Sequence, residues 1–400
     1  MCAVVLLAGA AATPYIWHSA GPGSDLVRYA GYAHQTIHGE VPYRDFFIEY
    51  PPGSLVAIVP PGLVSTHATG YGDAFAVEML LLLAAATAAT AVTLRTLEVS
   101  PWYGLFLLAT LAGSTLLLGA LPATRFDLLP ACLTAVAVAA VARRHELAGA
   151  AALGLGAAVK LFPAVAAPVL LVLAYRRGGA RLCTRAAAVF AGAFLAPLAP
   201  FAVLAPHGLY TSLRYQLDRP LQFETLAGGA AVFLHAAAGF GVGLVPGNDT
   251  YNLSGARGTV IGLAQALLLV AVLVWVLRRS LATAATLGGL ILCVTAGVCA
   301  LVTLGRILSD QYLVWLLPLV PLACAAAGRL GIALLATFSV SEVLTRVWYF
   351  HLFTVQPVAG RLAVLVLRNL FLLATLGLLL LAVARLPVTP PSTRAPTARR

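Results

Sequence analysis

The run LAGAAALGLGAAVKLFPAVAAPVLLVLAY, residues 147–175, decides what kind of fold this chain adopts. It is apolar except for Lys160 near its middle. Arg143 and Arg144 precede it, and Arg176, Arg177, Arg181 and Arg185 follow it. Apolar runs of about 20 residues span a bilayer, and Lys and Arg collect in the cytoplasmic loops. Basic flanks at both ends put both ends on one side, so the run must enter and turn back. Two half-helices meeting near Lys160 and Pro163 satisfy this better than one span. Each reaches roughly 20 Å at about 1.5 Å per residue, short of a hydrocarbon core of about 30 Å.

Similar apolar windows recur along the chain. Hydrophobic residues make up 61% of 400 and charged residues 10%, and the mean hydropathy is +0.94. Soluble domains carry about 25% charged residues. The expected fold is therefore all-α, a polytopic transmembrane helical bundle of about 10–12 membrane helices. The short alternating segments of a β-barrel are absent from the sequence. Full spans are expected at about 1–17, 73–96, 102–120, 126–142, 186–205, 258–277, 281–303, 312–328, 330–347 and 362–384. The run 53–64 is too short to cross, holds Pro60 and Pro61, and reads as interfacial or re-entrant. The whole of 1–384 reads as one membrane domain, with a basic, Pro-rich cytoplasmic tail over 385–400.

The net charge is +11. The Arg residues sit between spans and form no basic face, which argues against nucleic acid. Sorting loops by charge places 18–72, 121–127, 206–257, 304–311 and 348–361 on the outer side. Most acidic residues fall there too, with Glu98 and Glu146 as exceptions. The six Cys are scattered, mostly within apolar runs, without metal or disulfide spacing, and read as small hydrophobes. The Ala/Arg/Gly/Pro bias, with Lys160 the single Lys, fits a high-GC bacterial genome.

Polar chemistry concentrates in HSAGPGSDLVRYAGYAHQTIHGEVPYRDFFIEYPP, residues 18–52. Four of the 14 acidic residues lie here: Asp25, Glu40, Asp45 and Glu49. Asp25 to His38 reads as a juxtamembrane helix capped by Ser24 or Asp25 and ended by Gly39. Asp25 can act as a general base at the membrane edge or simply cap that helix. Asp45 and Glu49, four apart, share a face if their segment is helical; otherwise Asp45 pairs with Arg44. Tyr43, Phe46, Phe47 and Tyr50 can stack on sugar rings or anchor the loop at the interface. Lys160 is an intramembrane charge, a position that is usually functional, and can meet a phosphate as a point charge or snorkel to the interface. Three more polar knots adjoin spans: Arg125 and Asp127; Arg219, Gln222 and Glu224; and Arg306, Ser309, Asp310, Gln311 and Tyr312. Each alone reads as a structural ion pair, but together they can surround one outward site with phosphate and hydroxyl partners. Zinc spacings, nucleotide loops and nucleophile elbows are not present.

The order of these motifs resembles the integral-membrane GT-C glycosyltransferases. An acidic residue follows the first span, and GEVPYRDFFIEYPP follows at 39–52. AAVKLFP lies at 157–163, RPLQFET at 219–225 and RILSDQYLVWLLP at 306–318. More narrowly, the chain resembles the bacterial branch that includes the polyprenyl-phosphate-mannose-dependent α-mannosyltransferases of actinobacteria. The resemblance implies an inverting transfer of a hexose, commonly mannose, from a polyprenyl-phosphate donor to a lipid or glycan acceptor. It places the active face outside the cytoplasmic membrane and makes Asp25 the general base. It implies Lys160, Arg306 and Gln311 near the donor phosphate. Arg28, Tyr29, Asp45, Glu49, Tyr50, Arg125, Asp127, Arg219, Gln222, Glu224 and Tyr312 are the expected substrate and acceptor contacts. No metal site and no cofactor is expected, although some members of the superfamily require a divalent cation. The other class of function is a transporter or flippase of lipid-linked sugars, which the broken stretch at Lys160 fits.

Overall fold

The computed structural model describes residues 25–65, 67–247, 250–283, 286–353 and 358–388. The expected first span at 1–17, Ser24 and most of the tail lie outside those residues. The chain is an all-α, multi-pass membrane protein. Among the described residues, six helices are long and apolar enough to cross a membrane: Thr69–Thr96, Pro101–Leu118, Gly255–Ala282, Leu287–Leu304, Gly328–Leu352 and Ala359–Ala384. Leu287–Leu304 is the central one, with 83% of its apolar window buried, whereas Gly255–Ala282 is peripheral at 17%. An apolar helix that stays unburied by its own protein is matched to lipid.

The run that opened the sequence reading breaks where charge predicted. A helix over Glu146–Val159 ends at Lys160, whose backbone is extended at φ −156°, ψ 135°. A 3₁₀ turn, Phe162–Ala166, follows, and a new helix starts at Ala167. That helix reverses at Gly178 and Gly179; Gly179 has φ 67°, a conformation that side chains disfavour. The chain then returns alongside Glu146–Val159, where Gly154 lets the backbone of Phe190 approach closely. Arg177 ties the hairpin, donating to Glu146 and to the Val141 carbonyl at 2.8 and 2.9 Å.

Three expected full spans take other forms. The 126–142 window is the shorter helix Leu128–Ala142, about 22 Å long at about 1.5 Å per residue. The 186–205 window ends its long helix at Leu195 and continues as Ala199–Leu204. The 312–328 window is a 3₁₀ segment, Asp310–Leu316, then Leu319–Ala326. Hydropathy cannot distinguish one long span from two short helices buried among neighbours, because both are equally apolar.

The juxtamembrane helix is present as Asp25–Ile37, with Leu26, Tyr29 and Ala33 on its buried face and Gly39 at φ 93° beyond its end. The 53–64 run forms only short helical turns, with Val56, Leu63 and Val64 exposed, an apolar surface that suits a lipid boundary. The 206–257 loop contains an element the sequence reading did not anticipate. It is an antiparallel hairpin, Gly243–Gly247 with Thr250–Ser254, flanked by Leu221 and Phe223 through backbone hydrogen bonds.

The loops that charge sorted into two sets meet as two sets, one at each end of the bundle. At one end the Gln222 N–H donates to the Arg306 carbonyl at 3.0 Å and Trp348 donates to Glu224. At the other, Arg279 donates to the carbonyls of Val383, Ala384 and Leu386, and Arg176 to that of Leu281. Threonines within the bundle, such as Thr87, Thr90 and Thr93, return their hydroxyls to carbonyls four residues back. These hydroxyls are thereby not left bare in the apolar interior.

The Gly154 crossing sets a test. A side chain there would strike the Phe190 carbonyl, while one at Gly192 meets open space. Gly154→Val should cost about 1–3 kcal/mol, read as a lower melting temperature of the solubilised protein. Gly192→Ala should leave the melting temperature unchanged or raise it.

Candidate active site

The polar end of the bundle is built around three part-buried acid–base contacts. Asp25, at the first turn of the juxtamembrane helix, lies 2.9 Å from Arg125. The contact is an ion pair rather than an aligned hydrogen bond. Arg125 is buried and donates to the Tyr349 hydroxyl at 3.0 Å and to the Thr124 carbonyl at 3.1 Å. One turn along the same helix, Arg28 meets Glu49 at 2.5 Å. The helix therefore brings Asp25 and Arg28 to one polar edge while Tyr29 faces the core.

Aromatic rings fill the space between these charges. Phe126 stands at the centre, 5.4 Å from the Tyr29 ring and 4.8 Å from the Tyr50 ring. Burial pushes the Tyr29 and Tyr50 phenols well above their usual range, so both remain neutral donors. The Lys160 ammonium lies 5.3 Å from the Phe126 ring. The break after Val159 delivers it there, and Gly53 packs against the Ala158 backbone beside it. Lys160 pairs with Asp127 at 2.6 Å, and Trp315 Nε1 donates to the same carboxylate oxygen at 2.5 Å. Tyr312 and Trp315 also face the ammonium, at 5.0 and 5.4 Å.

Asp25, Glu49 and Asp127 thus face Arg28, Arg125 and Lys160. Arg219 adds a fourth positive charge whose field reaches Tyr312. The cluster favours an anion. Side-chain exposure of 20% at Asp25, 27% at Arg28 and 15% at Lys160 leaves these three groups reachable.

A second knot fixes the frame. Arg368, inside the last span and wholly buried, donates to Asp310 at 2.7 Å and to the Glu224 carbonyl at 2.7 Å. Glu224 accepts from Trp348 at 2.6 Å and from Gln222 at 2.9 Å. Gln222 accepts from the Leu308 N–H and donates to Thr250. Gln222 and Glu224, expected as substrate contacts, are structural ties between loops, with their side chains occupied and buried.

The remaining expected residues are scattered. Residues 43–50 form turns, bends and a bridge rather than a helix, and Tyr43 has φ 67°, so Asp45 and Glu49 do not share a helix face. Asp45 is bound by both nitrogens of its Arg44 contact and by the Val41 N–H. Arg44 first and Val41 second hold its carboxyl down to about 2. Arg306 is exposed at its side chain and contributes its carbonyl to Gln222. Gln311 accepts from Ser309 at 2.6 Å. Asp25 and Lys160 are held by Arg125 and Asp127 on either side of Phe126 in the chain; the Arg306 side chain is not among the contacts there.

Trp315, Trp348, Tyr349, Arg368 and Asn369 were not singled out from the sequence. The Arg368–Asn369 pair inside an apolar span was the available signal, because a charge in a span needs a partner. The wholly buried Glu342, also within a span, accepts from Ser114 at 3.0 Å. Among the described residues, no group of three or more His, Cys, Asp and Glu is placed to hold a metal ion.

Comparison with known proteins is decisive at the level of family. The model of glycosyltransferase family 87 matches residues 47–304, more than half of the chain. The match takes in Glu49, Arg125, Asp127, Lys160 and Glu224; Asp25 precedes it and the 306–318 motif follows it. No curated protein matches the chain.

The second knot predicts a pH response. Burial first, and the Asp310 charge second, push the Glu224 carboxyl above the ordinary carboxylate range. Folding then takes up a proton, so the stabilisation is full below the unfolded value and is lost as pH rises through the folded one. The melting temperature should fall between acid and mildly basic pH. Glu224→Gln, which cannot titrate, should flatten that slope.

Proposed function

The chain belongs to glycosyltransferase family 87, and on that premise we propose that it transfers a hexose, mannose, from a polyprenyl-phosphate donor to a lipid or glycan acceptor. The transfer takes place on the outer face of the cytoplasmic membrane and inverts the anomeric centre. The acceptor oxygen attacks the anomeric carbon while its proton passes to the Asp25 carboxylate. The bond from that carbon to the phosphate oxygen breaks, and polyprenyl phosphate leaves.

One observation carries this reading: a reachable carboxylate and a reachable ammonium, Asp25 and Lys160, pair with Arg125 and Asp127, the two chain neighbours of Phe126, so one short segment holds both. A base and a cation on opposite sides of a reacting carbon are what displacement of a phosphate requires. Negative charge grows on the leaving group, and a fixed cation lowers the barrier. Arg125 and Tyr349 orient Asp25, and Arg28 and Glu49 edge the acceptor side. A small apolar crevice lined by Met79, Leu83, Thr115, Pro122, Ala123 and Leu128 lies beside the Arg125–Asp127 segment. A donor activated elsewhere needs no nucleotide site here.

The test is transfer from a polyprenyl phosphate sugar by purified enzyme. Asp25→Asn should lower turnover about 10²–10⁴-fold, with donor binding retained. Undiminished turnover would remove Asp25 from the role.

A further inference from the structure

Asp127 has a different neighbour from the one its expected role implied. It is wholly buried at 0% exposure, so it does not meet substrate from where it sits. One of its oxygens accepts from both Lys160 and Trp315. The other has no partner among the described residues. A buried carboxylate loses several kcal/mol of hydration, of order 3–5 if left without its cation. Its position is therefore tied to Lys160.

Trp315 is itself fixed. Its ring stacks between Phe162 at 4.2 Å, nearly parallel, and Tyr312 at 4.0 Å. The indole N–H is aimed by that stack, and it holds the carboxylate. The carboxylate and the faces of Phe126, Tyr312 and Trp315 then hold the ammonium. Ring faces attract a cation without offering it a hydrogen-bond acceptor as strong as a carboxylate. Among the described residues Asp127 is the only hydrogen-bond partner of the Lys160 ammonium. Two of its three N–H groups remain, on a side chain that stays reachable.

We propose that Asp127, aimed by Trp315, is the positioning residue for Lys160, and that the two remaining N–H groups of Lys160 form the site for a phosphate headgroup. The assignment deepens the proposed reaction and rests on it only for the identity of the anion. An ammonium fixed before the anion arrives needs no rearrangement when charge develops. A lysine supplies a compact point charge with three donors, where an arginine would present a planar fork.

Binding tests it without turnover. The probe is a polyprenyl monophosphate titrated into the full-length solubilised protein, with inorganic phosphate as competitor to separate headgroup from tail. Asp127→Asn and Lys160→Gln should each weaken lipid binding about 10–100-fold, and the double variant should be no weaker than Lys160→Gln within about twofold, since the two act as one unit. Inorganic phosphate should compete in the wild type and lose that competition in Asp127→Asn. Wild-type affinity in Asp127→Asn, penalties that add in the double variant, or competition indifferent to Asp127 would each overturn the assignment. Should Asp127→Asn fail to fold, Trp315→Phe keeps a ring and removes one donor, and should weaken binding in the same direction by less. Unchanged binding there would count against the proposal. A protein that shows the expected cycle yet transfers no sugar would sink the proposed reaction and leave this assignment standing.

Discussion

The pairing of Lys160 with Asp127 is the constraint on which the polar end of this protein depends. A lone ammonium in an apolar run needs a carboxylate, and the carboxylate comes from a different segment. To bring the two together the backbone must leave its helix at Lys160, so the break and the pair are one feature. That requirement places Phe126, fixes the Phe162–Trp315–Tyr312 stack, and seats Pro52 and Gly53 of the first loop against the broken end.

The same physics repeats with other residues. Asp25 with Arg125 joins the juxtamembrane helix to the segment ahead of Leu128–Ala142. Asp310 with Arg368 joins the 305–311 loop to the last span. In each pair the acid and the base are far apart in sequence, so every pair closes a loop between elements that apolar contacts alone would let slide. Apolar packing is weakly directional, and lipid competes for the same surfaces. Buried ion pairs are poor evidence of stability, but breaking one strands a charge. Their contribution here is register: they decide which loops meet.

Much of this was legible in the sequence. The break at Lys160, the juxtamembrane helix from Asp25, the short 53–64 segment and the grouping of loops at two ends all follow from charge against an apolar background. The reading fell short where periodicity carries no information. Leu128–Ala142 and the 310–326 segment are as apolar as true spans, so their short, broken form was hidden. Asp45 and Glu49 shared a spacing but not a helix, because their segment runs as turns and bends, with Tyr43 in a left-handed backbone, which no pattern of polarity announces.

The sequence by itself determined the environment of each residue: apolar runs go into lipid, basic loops gather at one end, and acidic loops at the other. Transfer free energy is a property of composition, so composition suffices to read it. Only the tertiary structure decided partners. Gln222 and Glu224 became ties between loops rather than open groups, Asp127 went to Lys160, and Arg125 went to Asp25. A hydrogen bond or ion pair acts over a few ångströms, and which groups come that close is set by how the helices cross, a three-dimensional fact that no spacing along the chain contains.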